Sequence, residues 1–303
     1  MHLMILASFF QSDRVVLAMC GFGLAILAIG VLAIRNELAQ AQGLDKIAVL
    51  CTVCYAVPLG MFGALHLFGV RFVADLVPKY MPGRLFWAYF VGCALLATSL
   101  SMATRIAVRW SGVLIGILMF MFVVMLYILR GVMIQPHNRI VWTIAFRETS
   151  FGAAGWILAG NAIRGWRAEG KGTLVIVGRT LLSFTAIMFG IEHFLHPLGL
   201  PGVPLEREMP MWVPARVLID YLTGAGLAAT GACLLLNYKA RLAATLLGGW
   251  LLLMILVIYV PVTVGLLSSL NLPMQVEGLN YFADTLFFTG AILAAAYASP
   301  HNA

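Results

Sequence analysis

The chain is short of charge. Only 10% of its 303 residues are Asp, Glu, Lys or Arg, and just 12 of those are acidic, whereas a soluble globular domain carries about 25%. It also lacks a Walker loop, a dinucleotide-binding glycine fingerprint, a nucleophile elbow and a zinc-ligand spacing, so no soluble-enzyme motif names a reaction. The five cysteines, Cys20, Cys51, Cys54, Cys93 and Cys233, do not form a disulfide framework. The 19 basic residues are dispersed among the connections rather than gathered into a stripe that could track phosphates, which argues against nucleic acid as a partner.

What is abundant is apolar. Hydrophobic residues make up 62% of the chain, and its mean hydropathy is +0.98. A helix crosses a bilayer with about 20 such residues. Nine stretches qualify, at 15–34, 47–69, 85–103, 111–130, 140–160, 173–196, 215–235, 242–268 and 279–298. The expected fold is an all-α polytopic membrane protein with nine transmembrane helices. Arg14 ahead of the first run resembles a secretory signal, but the run is long and "IRNELAQ" follows it without a small-residue cleavage site, so an uncleaved span is expected.

The formal charge of +7 suits anionic head groups and sets orientation. With the N-terminus outside, ten Lys and Arg lie on the inner side and eight on the outer, and the short basic segment "RGWRAEGKG" at 164–172 (Arg164, Arg167, Lys171) stays inside. The expectation is N-terminus out and C-terminus in, in a bacterial plasma (inner) membrane.

The sequence repeats itself. At an ungapped offset of 132, Pro82, Arg84, Tyr89, Gly92, Arg109, Gly116 and Tyr127 fall on Pro214, Arg216, Tyr221, Gly224, Arg241, Gly248 and Tyr259. Upstream the offset becomes 127, matching Gly63 and His66 with Gly190 and His193. Downstream it becomes 136, matching Glu148 and Thr149 with Asp284 and Thr285. Residues 1–44 thus form a leading helix and loop, 45–163 a first four-helix repeat and 173–299 a second. Four spans return the chain to its starting side, so the repeats are parallel.

Arg179 opening a span, Gly190-x-x-His193 closing it, a proline-bearing loop and then Tyr221-x-x-Gly224 resemble the DoxX/DoxD-like family of four-helix membrane proteins. The resemblance implies a membrane subunit or accessory factor of a quinone-linked or thiol-linked redox system, with a soluble redox protein or another membrane subunit as partner beside membrane lipid. A tandem copy with an extra helix departs from the usual single unit.

Depth can be read from the helical rise of about 1.5 Å per residue. On that scale His66, Glu148, Tyr89, His193, Glu192, Asp284, Tyr221 and Asp220 all fall in one leaflet, beneath the loops 68–84 and 197–216. They form the candidate polar cluster, with His66 expected near Glu148 and His193 near Asp284, and Glu192 as an extra acid. A carboxylate beside an imidazole exchanges a proton near neutral pH, which suits quinone chemistry and proton-linked transport of a small solute equally. Such pairs also serve simply to fix a bundle, so a structural anchor or assembly factor is a third reading. His193 and His196 share a helix face, but no third ligand completes a metal site, and neither metal nor haem is indicated; a quinone is the one cofactor in view. Cys51 and Cys54 have the C-x-x-C spacing of a redox pair, yet the second repeat has Gly178 and Leu181 there, and both lie at the opposite end from the cluster.

Overall fold

The computed structural model describes residues 14–166 and 169–300. Residues 1–13 of the leading segment and Arg167 of the basic loop lie outside the described residues. Among the described residues every named element is helical. In chain order these are α1 (Arg14–Gln40), α2 (Asp45–Val49), α3 (Cys51–Phe68), α4 (Val70–Ala74), α5 (Arg84–Thr104) and α6 (Val108–Phe122), which runs into a π-helical stretch, π1 (Val123–Val132). There follow α7 (Arg139–Ile163), α8 (Thr173–Leu195), α9 (Arg216–Leu236), α10 (Ala240–Met254), π2 (Ile255–Tyr259), α11 (Val260–Leu267) and α12 (Leu272–Ala298).

Among the described residues eight helices are long and apolar enough to cross a membrane, which makes this a polytopic helical membrane protein. The remaining expected span, 140–160, lies in α7, which has 25 residues but carries Arg147 and Glu148 in its middle. Its apolar length alone would not mark it. Of its residues, Phe151, Ala153, Ala154, Ile157 and Leu158 are buried by neighbouring helices.

Several features recur along the chain at the 132-residue spacing. α5 and α9 each have 21 residues, α6 and α10 each have 15, and the π-helical stretches begin at Val123 and Ile255. The corner between α5 and α6 places Arg105 (φ 59°) and Ala107 (φ 57°) in the left-handed region, and the corner between α9 and α10 does the same with Asn237 (φ 53°) and Lys239 (φ 46°). That conformation is uncommon for residues other than glycine and asparagine, so Arg105, Ala107 and Lys239 are held there by their surroundings, while Asn237 suits it.

The Gly-x-x-His and Tyr-x-x-Gly sequences form one helix crossing. A β-carbon added at Gly92 would lie 2.8 Å from His66 Cβ, and one at Gly224 would lie 2.9 Å from His193 Cβ. Further along, Gly63 abuts Leu96 and Gly190 abuts Ala228, so each pair of helices runs antiparallel at close range. The tyrosines of the motif point away from these contacts: Tyr89 is 46% and Tyr221 39% exposed.

α7 and α12 meet at the centre. Phe151 stacks on Phe287 with ring centroids 3.9 Å apart, and the Tyr55 hydroxyl donates to the Phe151 carbonyl at 2.8 Å. α12 packs along α3, where Gly290 meets the Tyr55 backbone, and α7 packs along α8, where Gly178 meets the Ala153 carbonyl. The last helix of each group is therefore seated on the first helix of the other, an interlocking that spacing along the chain does not reveal. α1 lies outside both groups and packs its Gly23 and Gly30 on Met61 and Val53 of α3.

The connections 69–83 and 196–215 lie at one end of the bundle, called here the long-loop end. At the other end Glu37 binds both Arg105 and the Tyr297 hydroxyl, Arg105 lies 4.8 Å from the Trp166 ring centroid, and Arg241 donates to Asp45 at 2.7 Å. These contacts tie α1 to α12 and α2 to α10.

Candidate functional site

In the long-loop half, α3, α5, the α6–π1 segment, α7 and α12 surround a cavity of about 750 Å³. Most of its wall is apolar, with Phe62, Val91, Phe122 and Phe287 among the contributors. Phe90 and Met121 line it as well, and each is about half exposed.

The charged part of the wall comes from the two central helices. On α7, Ile144, Arg147, Glu148 and Phe151 share one face at spacings of three and four, and on α12 Val276, Asn280, Asp284 and Phe287 do the same. Arg147 donates to Glu148 Oε1 at 2.8 Å and to Asp284 Oδ2 at 2.5 Å, and the three side chains are only 14%, 11% and 7% exposed. A guanidinium stays protonated in proteins, so with both carboxylates ionised the cluster carries one net negative charge. Tyr127 faces Arg147 on the same wall. Two buried polar atoms here, Arg147 Nε and Asn280 Oδ1, have no hydrogen-bond partner among the described residues.

His66 completes the wall. Its Nδ1 lies 2.8 Å from the Phe62 carbonyl, and a carbonyl only accepts, so Nδ1 carries the proton. In the neutral ring Nε2 is then an acceptor, and it is the nitrogen left for an occupant.

The second half of the molecule is arranged differently. His193 Nδ1 is 2.6 Å from Asp220 Oδ1, both side chains being 1% exposed or less, and Nε2 meets the Gly202 amide at 3.3 Å and its carbonyl at 3.2 Å. Loop 196–215 folds into this half: Leu200, Val203 and Met209 are buried, and the Tyr259 hydroxyl donates to the Pro201 carbonyl at 3.0 Å. Glu192 accepts from Thr143 at 2.7 Å and from Arg139 at 3.3 Å, bridging α8 to α7. Arg139 also donates to the Pro204 carbonyl at 2.9 Å.

The expected cluster of eight residues is thus divided. His66, Glu148 and Asp284 share the cavity, though His66 bonds to neither acid. His193 does not meet Asp284: it is bonded to Asp220, while Asp284 is held by Arg147. Glu192 serves a helix contact of its own, and Tyr89 and Tyr221 face outward, Tyr221 stacking on Phe194 at 5.6 Å. The physical reason is that helical rise gives depth but not rotation. α12 presents Asp284 to α7, and α9 presents Asp220 to α8. Arg147, the centre of the charged wall, is absent from the expected cluster; its sequence signal is its adjacency to Glu148 and a depth shared with Asp284.

Cys51 and Cys54 are buried, unbonded thiols that do not line the cavity. His196 is exposed, and among the described residues no three His, Cys, Asp or Glu side chains converge as metal ligands. The chain matches no family model, and neither a curated protein nor a solved structure matches it at a significant level.

Proposed function

We propose that the protein binds a bilayer-soluble molecule with a polar head in the long-loop cavity and handles protons at its charged wall, as a membrane subunit or accessory factor of a quinone-linked redox system. One observation carries this reading: an apolar cavity of about 750 Å³ into which His66, Tyr127, Asn280 and the Arg147–Glu148–Asp284 cluster converge. Ligand sites are typically concave and apolar, with a few placed polar groups that fix orientation. Oxidation of a quinol to a quinone releases two protons and two electrons. His66 Nε2 and the carboxylate pair offer acceptors for the protons, and the electrons go to a partner oxidoreductase.

The same reading places nine spans in the membrane, a leading helix followed by two parallel four-helix repeats, with α7 as the ninth. The recurrence of helix lengths, left-handed corners and Gly–His crossings at matched positions supports it. The resemblance to DoxX/DoxD-like proteins points in the same direction, as does an N-terminus-out orientation that would set the cavity in the outer leaflet.

Trp87 lines the cavity, and quinone rings quench indole fluorescence. Titrating decylubiquinone into the protein in lipid nanodiscs should give saturable quenching. Leu118→Trp, which narrows the cavity with the residue found at the matched position Trp250, should abolish saturation. Quenching that is unsaturable and identical in the two proteins would refute the proposal.

A further inference from the structure

The second half of the molecule shows what fills a space of this kind. Met254, Ile258 and Tyr259, which pack with the buried loop residues Leu200 and Met209, lie 132 positions after Phe122, Leu126 and Tyr127 of the cavity wall. His193, which meets the loop, is seated against Gly224 as His66 is seated against Gly92. The matched surroundings are therefore occupied by the chain's own loop in one half and hollow in the other.

The loop fits its space with an apolar body and two polar points. Leu200, Val203 and Met209 supply the body. The Pro201 carbonyl takes the Tyr259 hydroxyl at 3.0 Å, and the adjacent Gly202 peptide groups meet His193 Nε2 at 3.2 and 3.3 Å. Gly202 adopts φ 118° there, and a β-carbon on it would lie 3.2 Å from the Leu251 and Thr285 side chains, so only a glycine brings the backbone this close.

In the first half two differences leave the counterpart groups without such a partner. Ala88 stands at the position matched to Asp220, so His66 turns Nδ1 to its own helix and keeps Nε2 for the cavity. Connection 69–83 lines the cavity through Phe72, Val73 and Leu76 without filling it, and no peptide of it bonds to the His66 or Tyr127 side chain among the described residues. Arg147 donates to the Tyr127 hydroxyl, which still has its own proton to give; buried polar groups are costly to leave unpaired, so that proton and His66 Nε2 fall to a ligand.

We infer that the occupant of the first-half cavity is an apolar molecule bearing two hydrogen-bonding oxygens, one meeting His66 Nε2 and the other the Tyr127 hydroxyl. Neutral His66 accepts from a hydroxyl and its protonated form donates to a carbonyl, so both states of a quinol/quinone pair satisfy it. A diacyl lipid with two ester carbonyls offers the same chemistry from a different source. This inference rests on the cavity being a ligand site.

The test compares decylubiquinone with decylbenzene, which has the tail and ring but no oxygens, in nanodiscs of wild type, Tyr127→Phe, His66→Leu and His66→Gln. The expected result is quinone affinity reduced about three- to tenfold in Tyr127→Phe and in His66→Leu, the range of a lost hydrogen bond. His66→Gln, which keeps a polar group, should recover part of it, and decylbenzene should bind all four proteins alike. Helical circular dichroism of each variant checks folding. If the oxygens belong to a lipid, the quinone does not compete, and native mass spectrometry shows a retained diacyl lipid that is lost in Tyr127→Phe. Equal binding of quinone and decylbenzene, unchanged by any variant, overturns the two-oxygen inference while leaving an apolar ligand site. No saturable binding of either probe, together with no retained lipid, overturns both.

Discussion

Arg147 is the most exposed point of the reasoning to a direct test. Replacing it by Met keeps an unbranched apolar stem and removes the charge, leaving Glu148 and Asp284, 2.8 and 2.5 Å from the guanidinium in the native protein, without a counter-ion. Both acids are about nine-tenths buried. Removing one partner of such a buried pair costs about 3–5 kcal/mol, because the remaining charge has neither water nor an opposite charge beside it. Arg84 provides an internal comparison: its pair with Asp75 is 3.8 Å long and 41% and 82% exposed, so Arg84→Met should cost no more than about 1 kcal/mol. The triple variant Arg147→Met, Glu148→Met, Asp284→Leu should regain most of the loss, since a buried ion cluster replaced by well-packed hydrophobic residues of similar volume is often near neutral. Equilibrium unfolding in mixed micelles, followed by helical circular dichroism, measures all three. If Arg147→Met is as mild as Arg84→Met, the two acids are not buried charges that need a cation, and the account of the cavity wall is wrong.

Further outcomes follow from the other contacts. Asp220→Asn removes the carboxylate that takes the His193 Nδ1 proton at 2.6 Å, and should cost about 1–3 kcal/mol in the same unfolding assay. Gly224→Val places a β-carbon 2.9 Å from His193 Cβ and should cost about 1–3 kcal/mol through overpacking, whereas Gly21→Ala, with nothing within 4 Å of its added carbon, should be neutral or slightly stabilising. Glu37→Gln weakens the hold on Arg105 and Tyr297 at the far end and should lower stability by about 1 kcal/mol without changing quinone affinity in the nanodisc titration. Cys51→Ala with Cys54→Ala should likewise leave that affinity unchanged, and maleimide should label both native thiols slowly because they are buried; a loss of binding would return them to the site.

Membrane class and the positions of eight apolar helices were legible in the sequence because both depend on composition and length alone. Asp284 and Glu148 were placed in one leaflet by helical rise. The partners of His193 were not legible: Asp220 and Asp284 share a leaflet, and choosing between them requires the rotation of α9 and α12 about their own axes. Rotation is set by packing, here by Gly224 on His193 and by Phe287 on Phe151, contacts that span 31 and 136 residues of chain. Arg147 was overlooked for a different reason. A single arginine in an apolar helix looks like an isolated expense, and its two acid partners become visible only when the adjacent Glu148 and the distant Asp284 are considered together.

The hollow half cannot be a dry space in the membrane. At about 24 cal/mol per Å³ of unfilled core, a closed void of 750 Å³ would cost about 18 kcal/mol, more than the roughly 5–15 kcal/mol that holds a typical domain folded, whereas this space is half open and can be filled from outside. The second half avoids this by folding its loop inward. The first half leaves its space open, and the lining residues Phe72, Phe90 and Met121 are about half exposed or more, so in the absence of a specific ligand a lipid chain can fill it. A specific occupant must then displace a chain as apolar as itself, and apolar contact contributes almost nothing to the exchange. What remains to favour one occupant over another is the polar wall: His66 Nε2, the Tyr127 hydroxyl, Asn280 Oδ1 and the Arg147 cluster. Selectivity in this cavity is therefore a matter of oxygens and protons, and truncating Tyr127 or His66 should alter which molecule binds more than whether the cavity is filled.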